Sequence, residues 1–191
     1  MILYQKLNLL FLGISCVISY KPVRLIYHRC AVDNLSMLRW LLDHGADPNK
    51  QCSIELTPFS IAVVTAPLAN IELLLTEGAD VNKGKPVHYV IDREKDVIPV
   101  LQLLLDHGAP VNTPLYDRKQ DYNSWRLYYF RNLGSPLHLA ACAGKTDIVK
   151  FLLNNGADTA SQDNHGRTPG QCAAKYQHWD TLEIIDGHQA E

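Results

Sequence analysis

Two triplets, Asp43-His44-Gly45 and Asp106-His107-Gly108, set a carboxylate beside an imidazole, the pairing that general acid–base chemistry uses. Both close an apolar helical phrase, "WLLDHG" and "LLLDHG", so the imidazoles fall in the last turn of a helix. There a histidine suits the negative helix end and stands in solvent, and neither triplet has a nucleophile set beside it. His88 and His138 each follow a proline by two residues, and neither has a second His, Cys or carboxylate at ligand spacing. Cys142 and Cys172 stand near the ends of short apolar runs and read as small packing residues, since the pattern places no base beside them. With Cys16, Cys30 and Cys52 they make an odd set of five without a CxxC pair, which fits reduced thiols of an intracellular protein better than a disulfide framework. No glycine-rich phosphate loop, HExxH, GxSxG or kinase-like set occurs. Residues able to do chemistry are present, but nothing gathers them into a catalytic constellation, and no cofactor or metal is expected.

The elements that carry these residues repeat. "LLDHGAD" (41–47) returns as "LLTEGAD" (74–80), "LLDHGAP" (104–110) and "LLNNGAD" (152–158), with glycines at 45, 78, 108 and 156. About ten residues after each glycine, or after a longer interval in one case, a pair begins an apolar run: Thr57-Pro58, Lys85-Pro86, Ser135-Pro136 and Thr168-Pro169. A hydroxyl N-cap followed by proline at the first helical position is a strong helix start, and only Lys85-Pro86 lacks the hydroxyl. A second helix follows with apolar residues at i, i+3 and i+4, as in Ile148, Val149, Leu152 and Leu153. The glycine suits the left-handed position just past it, and "ADxN" turns the chain into a polar loop. Each unit is thus helix–turn–helix–loop, too small to bury its own apolar face, so neighbours must stack.

"SPLHLAACAGKTDIVKFLLNNGADTAS" (135–161) resembles an ankyrin repeat, matching the T-P-L-H-x-A and L-L-x-x-G-A-D phrases with Ser135 for Thr. The resemblance covers about residues 22–187 and implies an all-α ankyrin-repeat solenoid of about five helix–turn–helix units with an insertion before the fourth. The expected divisions are an apolar N-terminal segment (1–21), repeat 1 (22–50), repeat 2 (51–83), repeat 3 (84–113), the insertion (114–132), repeat 4 (133–161) and repeat 5 (162–191). Repeat 2 has Ser60 and repeat 5 has Gln171 where the family has His, and the polar last helix reads as a C-terminal cap. The resemblance further implies that His88 and His138 hold their turns by hydrogen bonding. It also implies a non-catalytic module that binds a protein through loop tips and the concave face of the first helices.

The insertion, "PLYDRKQDYNSWRLYYFRN", holds six of the chain's sixteen aromatic residues together with Arg118, Lys119, Arg126 and Arg131. Aromatic and arginine enrichment is the composition of interface hot spots, and insertions in repeat proteins map to loops on one face. The alternative is that "WRLYYF" folds back over a longer junction and supplies core. The partner-contact residues named from sequence are Trp125, Arg126, Tyr128 and Tyr129 in the insertion, then Asp163, His165 and Arg167 in the last inter-repeat loop. Lys50 to Glu55 forms a further loop surface.

Of the 191 residues, 47% are hydrophobic and 20% charged, the balance of a globular chain, and the net charge of −2 sets up no field that gathers nucleic acid or anionic lipid. The expected partner is a protein, with the chain itself a monomer in the cytoplasm or nucleus. "LNLLFLGISCVIS" (7–19) leaves three descriptions open, a capping helix laid over the end of the fold, a secretory or anchoring segment, or an ill-defined chain start. At thirteen residues it is too short to span a hydrocarbon core of about 30 Å alone. Two other functions stay open on sequence: a regulatory segment of a multidomain protein, and a secreted or membrane-tethered effector.

Overall fold

The computed structural model describes residues 29–51, 56–115 and 134–188, and every element among them is helical. The N-terminal segment 1–21 and most of the insertion lie outside the described residues. The chain divides into two compact units, one ending at Gly84 and the other beginning at Lys85.

The first unit contains α1 (Arg29–Asp33), α2 (Leu35–Asp43), α3 (Pro58–Thr65) and α4 (Leu68–Thr76). Asn34 separates α1 from α2 and caps the latter, its side-chain oxygen accepting from the Met37 N–H at 2.9 Å. Thr57 and Ser60 serve each other across the first turn of α3: the Ser60 N–H donates to Thr57 Oγ1 at 3.1 Å, and the Thr57 N–H to Ser60 Oγ at 3.3 Å. Helix α3 is apolar on nearly every side, because α1 packs against it and α2 and α4 complete the unit behind it. Val32, Leu38, Leu41, Phe59, Ala62, Ile71 and Leu74 are wholly buried between these helices.

The second unit repeats the plan three times: α5 (Pro86–Val90) with α6 (Val97–Asp106), α7 (Pro136–Cys142) with α8 (Thr146–Asn154), and α9 (Pro169–Lys175) with α10 (Trp179–His188). The first helices stack in the order α5, α7, α9 and the second helices in the order α6, α8, α10. Leu101, Leu104, Leu137, Val149, Leu152 and Ile185 fill the space between the two layers.

The phrase-ending glycines take the expected left-handed conformation, with φ between +80° and +84° at Gly45, Gly78, Gly108 and Gly156. The alanine after each donates back to the carbonyl five residues earlier, at 2.9 Å for Ala46 to Leu41 and 3.0 Å for Ala157 to Leu152. That closes the helix with the double bond pattern of a Schellman end.

Candidate functional site

The loops between repeats are where the sequence places its contact residues, and side-chain ties between neighbours set their shape. In the first loop the Asp47 carboxylate accepts from the Asn49 N–H at 2.8 Å, which bends the chain. Asn49 then reaches the next repeat, donating to the Gly78 carbonyl at 2.7 Å and accepting from the Asp80 N–H at 2.7 Å. Asn112 makes the same pair of bonds 44 and 46 residues ahead, to the Gly156 carbonyl at 2.9 Å and from the Asp158 N–H at 2.8 Å. The side-chain amide, with its acceptor and donor in one plane, is what lets a single residue hold both backbone groups.

Repeats 3 and 4 are therefore tied as repeats 1 and 2 are, in spite of the residues between them. The neck of the insertion is closed by the Leu115 N–H donating to the Gly134 carbonyl at 3.2 Å. Trp125, Arg126, Tyr128 and Tyr129 belong to the stretch 116–133 and lie outside the described residues.

His138 sits wholly buried at the foot of the last loop. Its Nε2 donates to the Arg167 carbonyl at 2.9 Å and its Nδ1 accepts from the Ser135 N–H at 3.1 Å, so one neutral ring joins the start of α7 to the loop before α9. Burial is the main cause that holds its pKa below the usual histidine value. His88 differs from what the resemblance implied. It is buried as deeply, but among the described residues neither ring nitrogen has a hydrogen-bond partner, and burial followed by the nearby Lys85 charge pushes its pKa down to about 3. The cause lies at the N-cap: Lys85 is left-handed (φ 54°), where Ser135 is extended and offers its N–H to the ring. The carbonyls of Thr113 and Gly134 pull the other way on the His88 ring, yet stand outside bonding geometry.

The last loop holds Asp163, His165 and Arg167. Asp163 is buried, and one carboxylate oxygen accepts from the His165 and Arg167 N–H groups at 2.8 and 2.9 Å. The other takes Arg167 Nε at 3.0 Å and Nη2 at 2.7 Å. Burial pulls this carboxyl upward, but the Arg167 backbone and guanidinium and the His165 N–H together hold it below its usual value. Asp163 and Arg167 are thereby engaged in shaping the loop, and His165 is the one of the three that stands exposed at its tip. His44 and His107 are also exposed, each Nδ1 donating to a carbonyl in its own last helical turn, Trp40 at 2.7 Å and Leu103 at 2.8 Å.

Three exposed aromatic residues stood outside the set named from sequence. Trp40 is 49% exposed and stacks on His44, with ring centroids 4.0 Å apart. Tyr176 and Trp179 are 49% and 61% exposed at the turn between α9 and α10. Their signal was present in position: Trp40 and Trp179 sit on helix faces that the buried i, i+3, i+4 stripe leaves in solvent. Among the described residues no group of three or more His, Cys, Asp or Glu could hold a metal ion, and no helix is long and apolar enough to cross a membrane.

Comparison with known proteins places residues 126–190 on the family pattern for ankyrin repeats in three copies, and residues 27–53 on that for a single ankyrin repeat. Among curated relatives, alpha-latrocrustotoxin-Lt1a of Latrodectus tredecimguttatus is 28% identical over 72% of this chain and 9% of its own length. The transient receptor potential channel pyrexia of Drosophila melanogaster is 30% identical over 74% of this chain and 14% of its own. Potassium channel AKT1 of Arabidopsis thaliana is 30% identical over 86% of this chain and 21% of its own. The matched stretch is in each case a minor part of a longer protein.

Proposed function

We propose, from the premise that this chain belongs to the ankyrin repeat family, that it is a non-catalytic protein-binding module whose contacts are made by its inter-repeat loops and the face of its first helices. The observation that carries this reading is the closed neck between Leu115 and Gly134. Because Asn112 already ties repeat 3 to repeat 4, the junction needs no further residues to complete it, and a stretch rich in Trp, Tyr and Arg is spare for a partner. Trp125, Arg126, Tyr128 and Tyr129 are the proposed anchors, with His165 beside them in rank. Asp163 and Arg167 act by fixing the loop that presents His165. A protein is the occupant this composition suits: four basic residues offset by Asp117 and Asp121 make too small a field for nucleic acid.

Affinity capture from source cells tests it, comparing the full chain with a variant in which residues 114–132 are replaced by a short Gly/Ser turn and with the double variant Trp125→Ala/Tyr128→Ala. A partner retained by the parent and lost from both variants, with unchanged circular dichroism, is the expected result. A partner kept by both variants overturns the assignment to the insertion.

A second reading, a regulatory segment within a larger protein, draws support from the lengths of the relatives, two of which are named as channels. The full-length transcript decides it: a catalytic, channel or signalling domain in the same reading frame favours this reading, and a frame that encodes repeats alone counts against it.

A further inference from the structure

Helix α2 shows an apolar seam at positions where other second helices are covered. Each carries a wholly buried core residue in its second half: Leu41 in α2, Leu74 in α4, Leu152 in α8 and Ile185 in α10. Four places before it, α4, α8 and α10 have Asn70, Ile148 and Thr181, none of them more than 5% exposed. This position faces the repeat before. The Asn70 side chain donates to the Val32 carbonyl at 2.7 Å, and α2 packs on α4, α6 on α8 and α8 on α10. In α2 the same position is Met37, which is 40% exposed. Trp40 and His44 continue the stripe at i+3 and i+7 and are exposed with it, their rings stacked. The counterparts of Trp40, which are Leu73, Phe151 and Ile184, are part-covered.

We propose that the apolar segment 7–19 of this chain docks on Met37 and Trp40 as a helix, in the place that a preceding repeat takes elsewhere. Its chemistry matches the seam. The segment carries no charge, and Leu7, Leu10, Phe11, Ile14, Val17 and Ile18 recur at helical spacing. An apolar stripe thus meets an apolar seam, and both leave water together. Its position matches as well, because the seam looks toward the chain that precedes α1. Residues 20–28 join the segment to Arg29, where α1 begins, and nine residues can extend up to about 30 Å, enough to return to α2. Its length is also sufficient. Thirteen helical residues measure about 20 Å, against about 14 Å for the nine of α2. So placed, the segment is the N-terminal cap of the stack, the counterpart of the polar α10 at the other end.

Hydroxyl-radical footprinting of the full chain tests this, since Met and Trp side chains oxidise readily where water reaches them. Trypsin releases Met37 in peptide 30–39 and Trp40 in peptide 40–50, with exposed Trp179 in peptide 176–191 as the internal reference. In the parent, Trp40 should oxidise several-fold more slowly than Trp179. Leu10→Asp/Ile14→Asp puts charge into the apolar stripe and should raise oxidation of Met37 and Trp40 several-fold, with Trp179 unchanged. Asn8→Asp/Ser15→Asp adds the same charge to the other side of the helix and should leave the protection in place. Circular dichroism checks folding, and the milder Ile14→Asn supplies the readout if the first double variant loses its fold. The proposal fails if Trp40 of the folded parent oxidises as fast as Trp179, or if the two Asp pairs expose it equally. It fails equally if protection disappears on dilution together with a dimer mass, since a second copy is then the cover. A mature chain from source cells that begins just after Ser19 overturns it outright, because the segment is then removed.

Discussion

Replacing His138 by Leu would strand two backbone groups that its ring now serves, the Arg167 carbonyl and the Ser135 N–H. The expected loss is about 1–3 kcal/mol, the cost of leaving buried polar groups unpaired. His88→Leu removes a ring that has no hydrogen-bond partner among the described residues and should leave stability level or raise it. Urea midpoints of the two variants against the parent check the contrast, and equal losses would show that the two rings do the same work. Acid exposes the difference further. The unfolded chain protonates a histidine near the ordinary value of about 6.5, whereas folded His88 resists protonation down to about 3. Between those values the unfolded state binds a proton that the folded state refuses, so stability falls as pH drops through the window, by up to about 1.4 kcal/mol per pH unit. His138 shifts in the same direction and adds to the slope. A midpoint series from pH 7 to pH 4 should therefore be visibly flatter for His88→Leu. A variant slope as steep as the parent's would mean that some other group governs the acid limb.

At the scale of the element, helix ends carry most of the instruction. Gly156 has φ +80° and open space where a Cβ would go, so Gly156→Ala should cost only the left-handed backbone penalty, about 1–2 kcal/mol. Gly84 is a different case, since its Cβ would come within 2.0 Å of Ser60 Oγ. Gly84→Ala must also break the bond from Ser60 Oγ to the Gly84 carbonyl at 2.7 Å, and thermal unfolding should show the larger loss there. These ends were legible in sequence because each rests on one residue type with one physical reason: Pro after Ser or Thr at the start, Gly past the finish. Ser60 and Gln171 looked like departures from the His pattern, yet each reaches back to its N-cap N–H as His138 does, Gln171 Oε1 accepting from Thr168 at 3.0 Å. Geometry asks for an acceptor on the third residue and leaves its identity open. The carbonyls at the ends of first helices were not legible at all. Asn70 serves Val32 at 2.7 Å, Lys145 serves Ile91, and His178 serves Cys142 at 3.1 Å. An amide, an ammonium and an imidazole do one job at one place, so no phrase in the chain repeats to announce it.

Across the whole molecule, the ties that matter run between repeats and not along the chain. Asn112→Ala should lower the urea midpoint by the equivalent of about 1 kcal/mol, because two exposed backbone groups lose their partner. Exchanging residues 116–133 for a four-residue Gly/Ser link shortens the loop by about two doublings and should raise stability by about 1 kcal/mol, at about 0.6 kcal/mol for each doubling. A large loss from that exchange would mean that the insertion supplies core, the alternative its sequence left open. The sequence carried the repeat count and the order of helices because stacking needs a periodic apolar face. It also carried the place of the insertion, but not the state of its neck, because Leu115 and Gly134 meet through backbone atoms that any residues would supply.

A clamp built this way measures position and ignores contour length. Asn49 spans 29 residues to its carbonyl and Asn112 spans 44, with nearly the same geometry at each end. The gap between Leu115 and Gly134 is accordingly a docking port for foreign sequence. A display peptide of unrelated composition, or a small folded domain with adjacent termini, could be grafted there, and the scaffold would hold it as a frame holds an exchangeable panel.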